Sequence, residues 1–262
     1  TYGYHFAPDG KTFRTVYREA GPNVFAVLEV REIETASGKT TKALGRLEVG
    51  FTHYVLSADG KRLVTFDTRD TITAYDADSG KELWKRTPKL ERPFDGQQGG
   101  FGTPIGPGGR DRNEMTTLQL SPDGKRLVVT RGLNPPVVLN AVTGEPLPVP
   151  ANTALMAPLA QPGCFSPDGR LLALSGQRFT SREVAIQGKG LGGRPAQTVY
   201  DSAGSFLAVW EVDTGRQLKA WDRSATVTFL PNAPVLAVFE NNGAGGTRLG
   251  LWDFSAEAPG KK

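Results

Sequence analysis

An all-β fold is the class that this 262-residue sequence predicts, and three observations lead to that prediction. A tight turn of the type Ser-Pro-Asp-Gly-Lys recurs between apolar strands, at residues 6–11, 56–61, 120–125, 165–170 and, in eroded form, 229–234. Each copy closes with a second turn, at residues 33–38, 75–80, 139–144, 210–215 and 252–256. No window of useful length shows helical periodicity. Repeats of this length and content predict a β-propeller of four-stranded antiparallel blades, about five of which are visible in the sequence.

The second copy shows how each element of a blade is justified. Apolar strands at residues 52–56, 62–66, 71–75 and 82–86 are separated by short polar turns. The Asp59-Gly60 pair supplies the positive φ angles that a tight hairpin needs. In the later copies, residues 127–129, 171–174, 206–210 and 235–239 are continuous apolar runs, which is typical of sheets buried on both faces.

We interpret residues 1–262 as a single propeller domain. The approximate blades are residues 1–50, 51–90, 115–150, 160–222 and 224–256, with insertions at 87–115 and 177–205. The last copy stops after its third strand, at residues 252–254. Two hypotheses therefore stay open: five blades that close with a three-stranded last blade, or an incomplete part of a larger ring.

The repeats resemble those of the WD-repeat propellers over almost the whole chain. Besides the Asp-Gly pairs of the turns, the residues that carry the resemblance are Tyr75-Asp76, Trp210-Glu211, Trp252-Asp253 and Asp70, which matches the structural Asp of that family. The chain departs from the pattern because it has no Gly-His dipeptide and because Ile33 and Leu139 replace the aromatic residue in two copies. The resemblance implies the architecture and names no partner.

One copy is also similar to the repeat of quinoprotein-type propellers, A-x-D-x-x-T-G-K-x-x-W. Residues 74–84 carry this similarity, which implies that Trp84 docks between neighbouring blades. Enzymes of that type have more blades, a calcium site and usually adjacent cysteines, whereas this chain has one cysteine. We therefore expect no cofactor.

Composition argues against several classes of function. The 31 basic and 27 acidic residues give a net charge of +4 and are scattered without a basic cluster, so no nucleic-acid partner is expected. No apolar stretch of about 18 residues predicts a membrane span. The single Cys164 excludes an internal disulfide and is predicted to be a buried, inert thiol. The excess of Arg over Lys, 19 to 12, points to a bacterial source. The compartment, cytoplasm or cell envelope, stays open.

Catalytic and metal-binding patterns are weak. His5 and His53 fall on predicted inner strands, where a packed histidine is the simpler reading than a base or ligand. The glycine-rich residues 188–193 precede Arg194-Pro195 rather than a helix, so they do not predict a phosphate site. We therefore predict neither catalytic residues nor a metal site.

The insertions at residues 87–115 and 177–205 are the main functional clue. Second-to-third and fourth-to-first connections leave a propeller on the same face, and long loops without secondary structure are often functional. Aromatic and Arg side chains are typical of binding hot spots. The predicted partner-binding residues are Phe94, Phe101, Arg110, Arg112, Phe179, Arg182 and Tyr200.

The function predicted from these clues is a non-catalytic scaffold that binds a protein partner, or another domain of a longer chain, on the loop face. Two alternatives stay open. The first is an enzyme, or a propeller that binds a sugar or another small ligand at the mouth of the central channel. The second is that the insertions contact nothing.

Overall fold

The protein forms five antiparallel sheets in the computed structural model, which describes residues 4–7, 9–20, 25–50, 52–67, 69–88, 116–131, 135–150, 156–158, 163–184, 197–241 and 247–257. Sheet 1 contains β1 to β4, which are Tyr4–Phe6, Thr12–Ala20, Phe25–Glu34 and Thr40–Gly50. Sheet 2 contains β5 to β8, which are Thr52–Leu56, Arg62–Asp67, Ile72–Asp76 and Glu82–Arg86. Sheet 3 contains β9 to β11, which are Thr116–Leu120, Arg126–Arg131 and Val137–Asn140. Sheet 4 contains β12 to β16, which are Met156–Pro158, Cys164–Phe165, Leu171–Val184, Gln197–Glu211 and Gln217–Trp221. Sheet 5 contains β17 to β19, which are Thr226–Phe229, Val235–Asn241 and Thr247–Asp253.

The fold is all-β, as predicted, and the five sheets are blades of a β-propeller. Consecutive strands pair as neighbours in each sheet, except that the first strand of sheet 4 is divided into β12 and β13, which both pair with β14. A single 3-10 turn, Ser255–Glu257, is the helical element of the described ranges, and none of their segments is a helix long and apolar enough to cross a membrane.

The Ser-Asp-Gly turns are stabilised by a repeated set of hydrogen bonds. In sheet 2 the amide of Lys61 donates to the Asp59 carboxylate at 3.0 Å, and the amide of Arg62 donates to the Ser57 hydroxyl at 2.9 Å. Gly60, which follows Asp59 in this turn, has a φ of 68°. This is the left-handed region, which residues with a Cβ rarely adopt. Equivalent bonds occur in the turns of sheets 3 and 4. The local sequence therefore sets the geometry of these hairpins.

Sheet 3 has three described strands instead of the four that the repeat predicted. Residues 145–150 read Glu-Pro-Leu-Pro-Val-Pro, and proline has no amide hydrogen to contribute to a sheet. What remains of a fourth strand is an isolated bridge between Leu139 and Pro146 and a hydrogen bond from the Leu147 amide to Val138. The prolines thus explain why this edge is frayed.

Four apolar cores join consecutive sheets, sheet 1 to 2, 2 to 3, 3 to 4 and 4 to 5. Between sheets 2 and 3, for example, Phe66 and Ile72 pack with Leu127, and all three are at most 3% exposed. Sheets 2, 3 and 4 are therefore buried on both faces, which is why their strands are continuous apolar runs.

Polar contacts reinforce the stacking of the sheets. Trp84 of β8 reaches the next sheet, where its indole Nε1 donates to the Ala141 carbonyl at 3.0 Å, so the docking implied by the quinoprotein-like repeat is confirmed. The guanidinium of Arg126 donates two hydrogen bonds to Asp213 of sheet 4, at 2.9 and 2.7 Å. Cys164 is half-buried and packs against the core between sheets 4 and 5, where burial raises the pKa of its thiol to about 12. The raised pKa agrees with the predicted inert thiol, although the residue is less buried than predicted.

Candidate interaction face

The turns that join first to second strands lie side by side at one end of the stacked sheets. Arg14 of sheet 1 donates to the carbonyl of Gly60 in the turn of sheet 2, at 3.1 Å. Arg62 of sheet 2 repeats this contact with Gly124 in the turn of sheet 3, at 2.9 Å. Because neighbouring strands are antiparallel, the connections between second and third strands leave from the opposite end. We call that end the arm face, after the element described next.

The predicted insertion at residues 177–205 is not a loop without secondary structure, and this expectation was wrong. Strands β14 and β15 stay paired from Leu171↔Glu211 to Val184↔Gln197. Strand β12 covers β14 no further than Arg178, and β16 covers β15 from Leu207 onward. Residues 179–184 and 197–202 therefore form a two-stranded ribbon beyond the sheet, which we call the hairpin arm.

The composition of the hairpin arm accounts for its strands. It is rich in Thr, Val, Phe and Tyr, which favour extended structure, between charged residues that keep the ribbon in contact with water. A register shift between Arg178 and Phe179 leaves one extra residue, Ala203, opposite them. The adjacent Gly204 has a φ of 106°, a conformation that glycine adopts readily. This bulge marks the point at which the arm leaves sheet 4.

Three of the seven predicted partner-binding residues lie on the hairpin arm. Phe179 is half-buried and pairs with Ser202, and Arg182 is exposed. Tyr200 pairs with Ser181, so its backbone position lies diagonally next to that of Phe179. The other four, Phe94, Phe101, Arg110 and Arg112, lie outside the described residues, together with the rest of the insertion from residue 89 to residue 115.

Ion pairs hold the hairpin arm at two levels. On the arm, Arg182 donates to Asp201 at 2.6 Å, and this hydrogen bond raises the pKa of the guanidinium. At its base, Arg178 donates to Asp222 at 2.7 Å, which ties β14 to the segment after β16. Exposed pairs contribute little stability. The Arg182–Asp201 pair joins the two strands of the arm, and the Arg178–Asp222 pair links the base of the arm to sheet 4.

A second polar group lies at the arm face between sheets 2 and 3. Asp70 follows β6 with a φ of 63° and forms an ion pair with Arg131, at the end of β10. The Arg131 guanidinium lies 5.8 Å from the centroid of the Phe66 ring, and Phe66 pairs with His53 of the inner strand β5. Burial is the main cause that lowers the pKa of His53, and the positive charges of Arg18 and Arg131 contribute. His53 is therefore neutral at pH 7.

Sequence reasoning singled out Asp70 through its resemblance to the structural Asp of WD repeats but missed Arg131. Arg131, which pairs with the buried carboxylate of Asp70, lies in the neighbouring sheet, 61 positions further along the chain. No local sequence pattern indicates this pair. Within the described residues, no group of three or more His, Cys, Asp or Glu side chains is arranged to bind a metal ion.

Comparisons with known proteins support the fold and leave the activity open. No protein-family model matches the chain, and no curated protein sequence matches it. Among solved structures, the chain is similar to Porphyromonas gingivalis dipeptidyl peptidase 4, a propeller protein, with a TM-score of 0.59 and 15% sequence identity. The alignment covers 98% of this chain but 38% of that protein. At this identity, the similarity shows the propeller-like all-β fold alone.

Proposed function

We propose that this chain is a non-catalytic, WD-repeat-like propeller scaffold that binds a protein partner on the arm face. The observation that carries the proposal is the hairpin arm, a paired ribbon that extends beyond sheet 4 and presents Arg182 to solvent. Arg and aromatic residues dominate the energetics of protein interfaces, and the arm combines Phe179, Arg182 and Tyr200, with Arg178 at its base.

The hairpin arm suits a protein partner better than a loop would. A flexible loop of this length would lose conformational entropy on binding, whereas a ribbon that is already paired has lost most of it on folding. In the described residues, no third strand pairs with residues 180–184 or 197–202, so the outer edges of these two segments can pair with an extended segment of a partner.

A photo-crosslinking experiment tests the arm face. A photoreactive amino acid replaces Ser181, which is exposed on the arm. In the control variant it replaces Val142, which is 50% exposed in the turn after β11, at the opposite end of the sheets. On illumination of cells that express each variant, we expect a discrete crosslinked species from position 181 and none from position 142.

A matched substitution links that species to the predicted residues. Replacing Phe179, Arg182 and Tyr200 together by Ala, in the chain with the photoreactive residue at position 181, should remove the crosslinked species without lowering the melting temperature by more than a few degrees. Unchanged crosslinking after this triple replacement would contradict the assignment of the arm as the binding surface.

The second candidate function is binding of a small anionic ligand at the mouth of the channel. The observation that favours it is that the Arg131 guanidinium lies near the ring of Phe66, which pairs with His53 of the inner strand β5. A thermal-shift screen of phosphate, sulfate and small carboxylates separates the two candidates. An anion that raises the melting temperature of the wild-type chain but not of Arg131→Met would support a ligand site. No rise in melting temperature with any of these anions would favour the scaffold function.

A further inference from the structure

The interfaces between neighbouring sheets follow one repeated rule. In sheet 2, the pairs Phe66↔Ile72 and Val64↔Ala74 lie on the face that packs against sheet 3, and these four residues are at most 3% exposed. The other face of sheet 2 packs against sheet 1 through Tyr54, Leu56 and Leu63. We call the face of a sheet that packs against the following sheet its forward face, and the face that packs against the preceding sheet its backward face. Each interface thus joins the forward face of one sheet to the backward face of the next.

Sheet 5 has the same forward face, but it is open. Its pairs Phe239↔Leu249 and Ala237↔Leu251 repeat the register of the two pairs in sheet 2. Phe239, Leu249 and Leu251 are 39%, 55% and 59% exposed, although their counterparts in sheet 2 are buried. The apolar character of these positions is therefore kept where nothing in the described structure covers them.

Sheet 1 has the matching backward face, and it is open too. Tyr4 and Phe6 of β1 occupy the positions of Tyr54 and Leu56 of β5, one repeat later in the sequence. Tyr54 and Leu56 are 8% and 7% exposed, whereas Tyr4 and Phe6 are 66% and 53% exposed. The two ends of the row of sheets therefore carry the two halves of the interface that the chain builds four times internally.

Polar groups accompany the aromatic residues on the open face of sheet 1, where Arg31 forms an ion pair with Glu29 and stacks 3.8 Å from the centroid of the Tyr17 ring. At sheet 5, the ion pair of Arg223 and Glu240, at 2.8 Å, lies on the side that packs against sheet 4, because Glu240 alternates with Leu236 and Val238 of that core. The open face of sheet 5 is therefore apolar at Phe239, Leu249 and Leu251.

We propose that the open face of sheet 5 docks on the open face of sheet 1 of a second copy of this chain. This contact would continue the internal interfaces, because the forward face of sheet 5 matches the forward faces of the other sheets and sheet 1 has the corresponding backward face. The contact is heterologous, so copies add head to tail and close into a ring or continue as a chain.

Sedimentation equilibrium of the purified chain, up to about 1 mM, tests the association. We expect a concentration-dependent mass above that of the monomer. Leu249→Glu with Leu251→Glu should weaken the association by more than about tenfold, since charges would enter a desolvated interface. The control is Leu83→Glu with Val149→Glu, at two positions with similar exposure outside the end faces, and it should leave association unchanged.

Cysteine crosslinking identifies the two faces. Leu251→Cys in one copy and Phe6→Cys in another should form a mixed disulfide under mild oxidation, in excess over either symmetric dimer. The native Cys164 does not compete, because burial raises its pKa to about 12. A monomeric wild-type chain at every concentration, or a symmetric dimer of the Leu251→Cys chain as the main product, would overturn the proposal. So would an intrachain disulfide in the chain that carries both substitutions, because it would mean that the two faces cover each other within one copy.

Discussion

Replacing Gly144 by Ala tests how the sheets are held together more sharply than a truncation would. Gly144 lies in the last turn of sheet 3 with a φ of 75°, and the Trp84 ring from sheet 2 covers it. A Cβ at this position would lie 2.8 Å from Cδ2 of Trp84, closer than such atoms approach in proteins. The indole must therefore move, and its hydrogen bond to the Ala141 carbonyl must break.

The expected cost has two parts. The left-handed conformation costs Ala about 1–2 kcal/mol relative to Gly. Displacing Trp84 removes a hydrogen bond worth about 1 kcal/mol and part of the packing of a half-buried indole, about 1–2 kcal/mol more. We expect Gly144→Ala to lower the free energy of unfolding by about 3–5 kcal/mol.

Gly38→Ala is the matched control. Gly38 has the same place in the turn of sheet 1 and a φ of 67°, but nothing lies within 4 Å of the position that a Cβ would occupy, so only the backbone cost of about 1–2 kcal/mol applies. The assay is urea unfolding followed by tryptophan fluorescence. In a Trp84→Ala background, Gly144→Ala should cost no more than Gly38→Ala. Equal destabilisation by the two glycine substitutions in the wild-type background would refute the docking of Trp84 as a stabilising contact.

Three further predictions concern titration and reactivity. The hydrogen bond from Arg126 lowers the pKa of Asp213, so this contribution to stability is present above pH 4 and is lost as the pH falls through the lower folded pKa; Asp213→Asn should flatten the decline in urea midpoint below about pH 4. Because the pKa of His53 is lowered in the folded chain, the unfolded chain binds more protons than the folded chain below about pH 6.5. The free energy of unfolding should therefore decrease as the pH is lowered through this range, and His53→Gln should remove that decrease. Cys164 should react with a thiol reagent at pH 8 only in denaturant, and fast reaction of the native protein would contradict its burial.

The parts of the fold that were predictable are those with local causes. An Asp-Gly pair determines a hairpin because glycine tolerates the positive φ, and the structure has Gly60, Gly124 and Gly169 in that conformation. The apolar runs predicted sheets with two buried faces, and the four cores confirm this for sheets 2, 3 and 4. For the run at residues 235–239 it was wrong, because one face of sheet 5 is open in the described structure and Phe239 is 39% exposed. These signals lie within a few residues of the features that they specify.

The parts that were not predictable depend on distant residues or on balanced local preferences. The hairpin arm mixes strand-favouring residues with Arg, Glu, Asp and Ser and has no clear alternation, so its strands depend on the pairing of residues 179–184 with residues 197–202, which no local pattern indicates. The ion pair between Asp70 and Arg131 joins two sheets and has no local signature. The exposure of Leu249 and Leu251 could not be predicted from the sequence either. Apolar residues at these positions would be equally expected if another sheet covered them.

The measurement that tests the central claim most directly is amide hydrogen exchange of the hairpin arm. The proposed function depends on a ribbon that is paired before any partner binds, with register Thr180↔Asp201 and Arg182↔Val199. We predict that alternate amides in residues 179–184 and 197–202 exchange at least about tenfold more slowly than in an unstructured peptide. Exchange of all these amides at the unstructured rate would show that the arm is a loop and would contradict the account of the arm face.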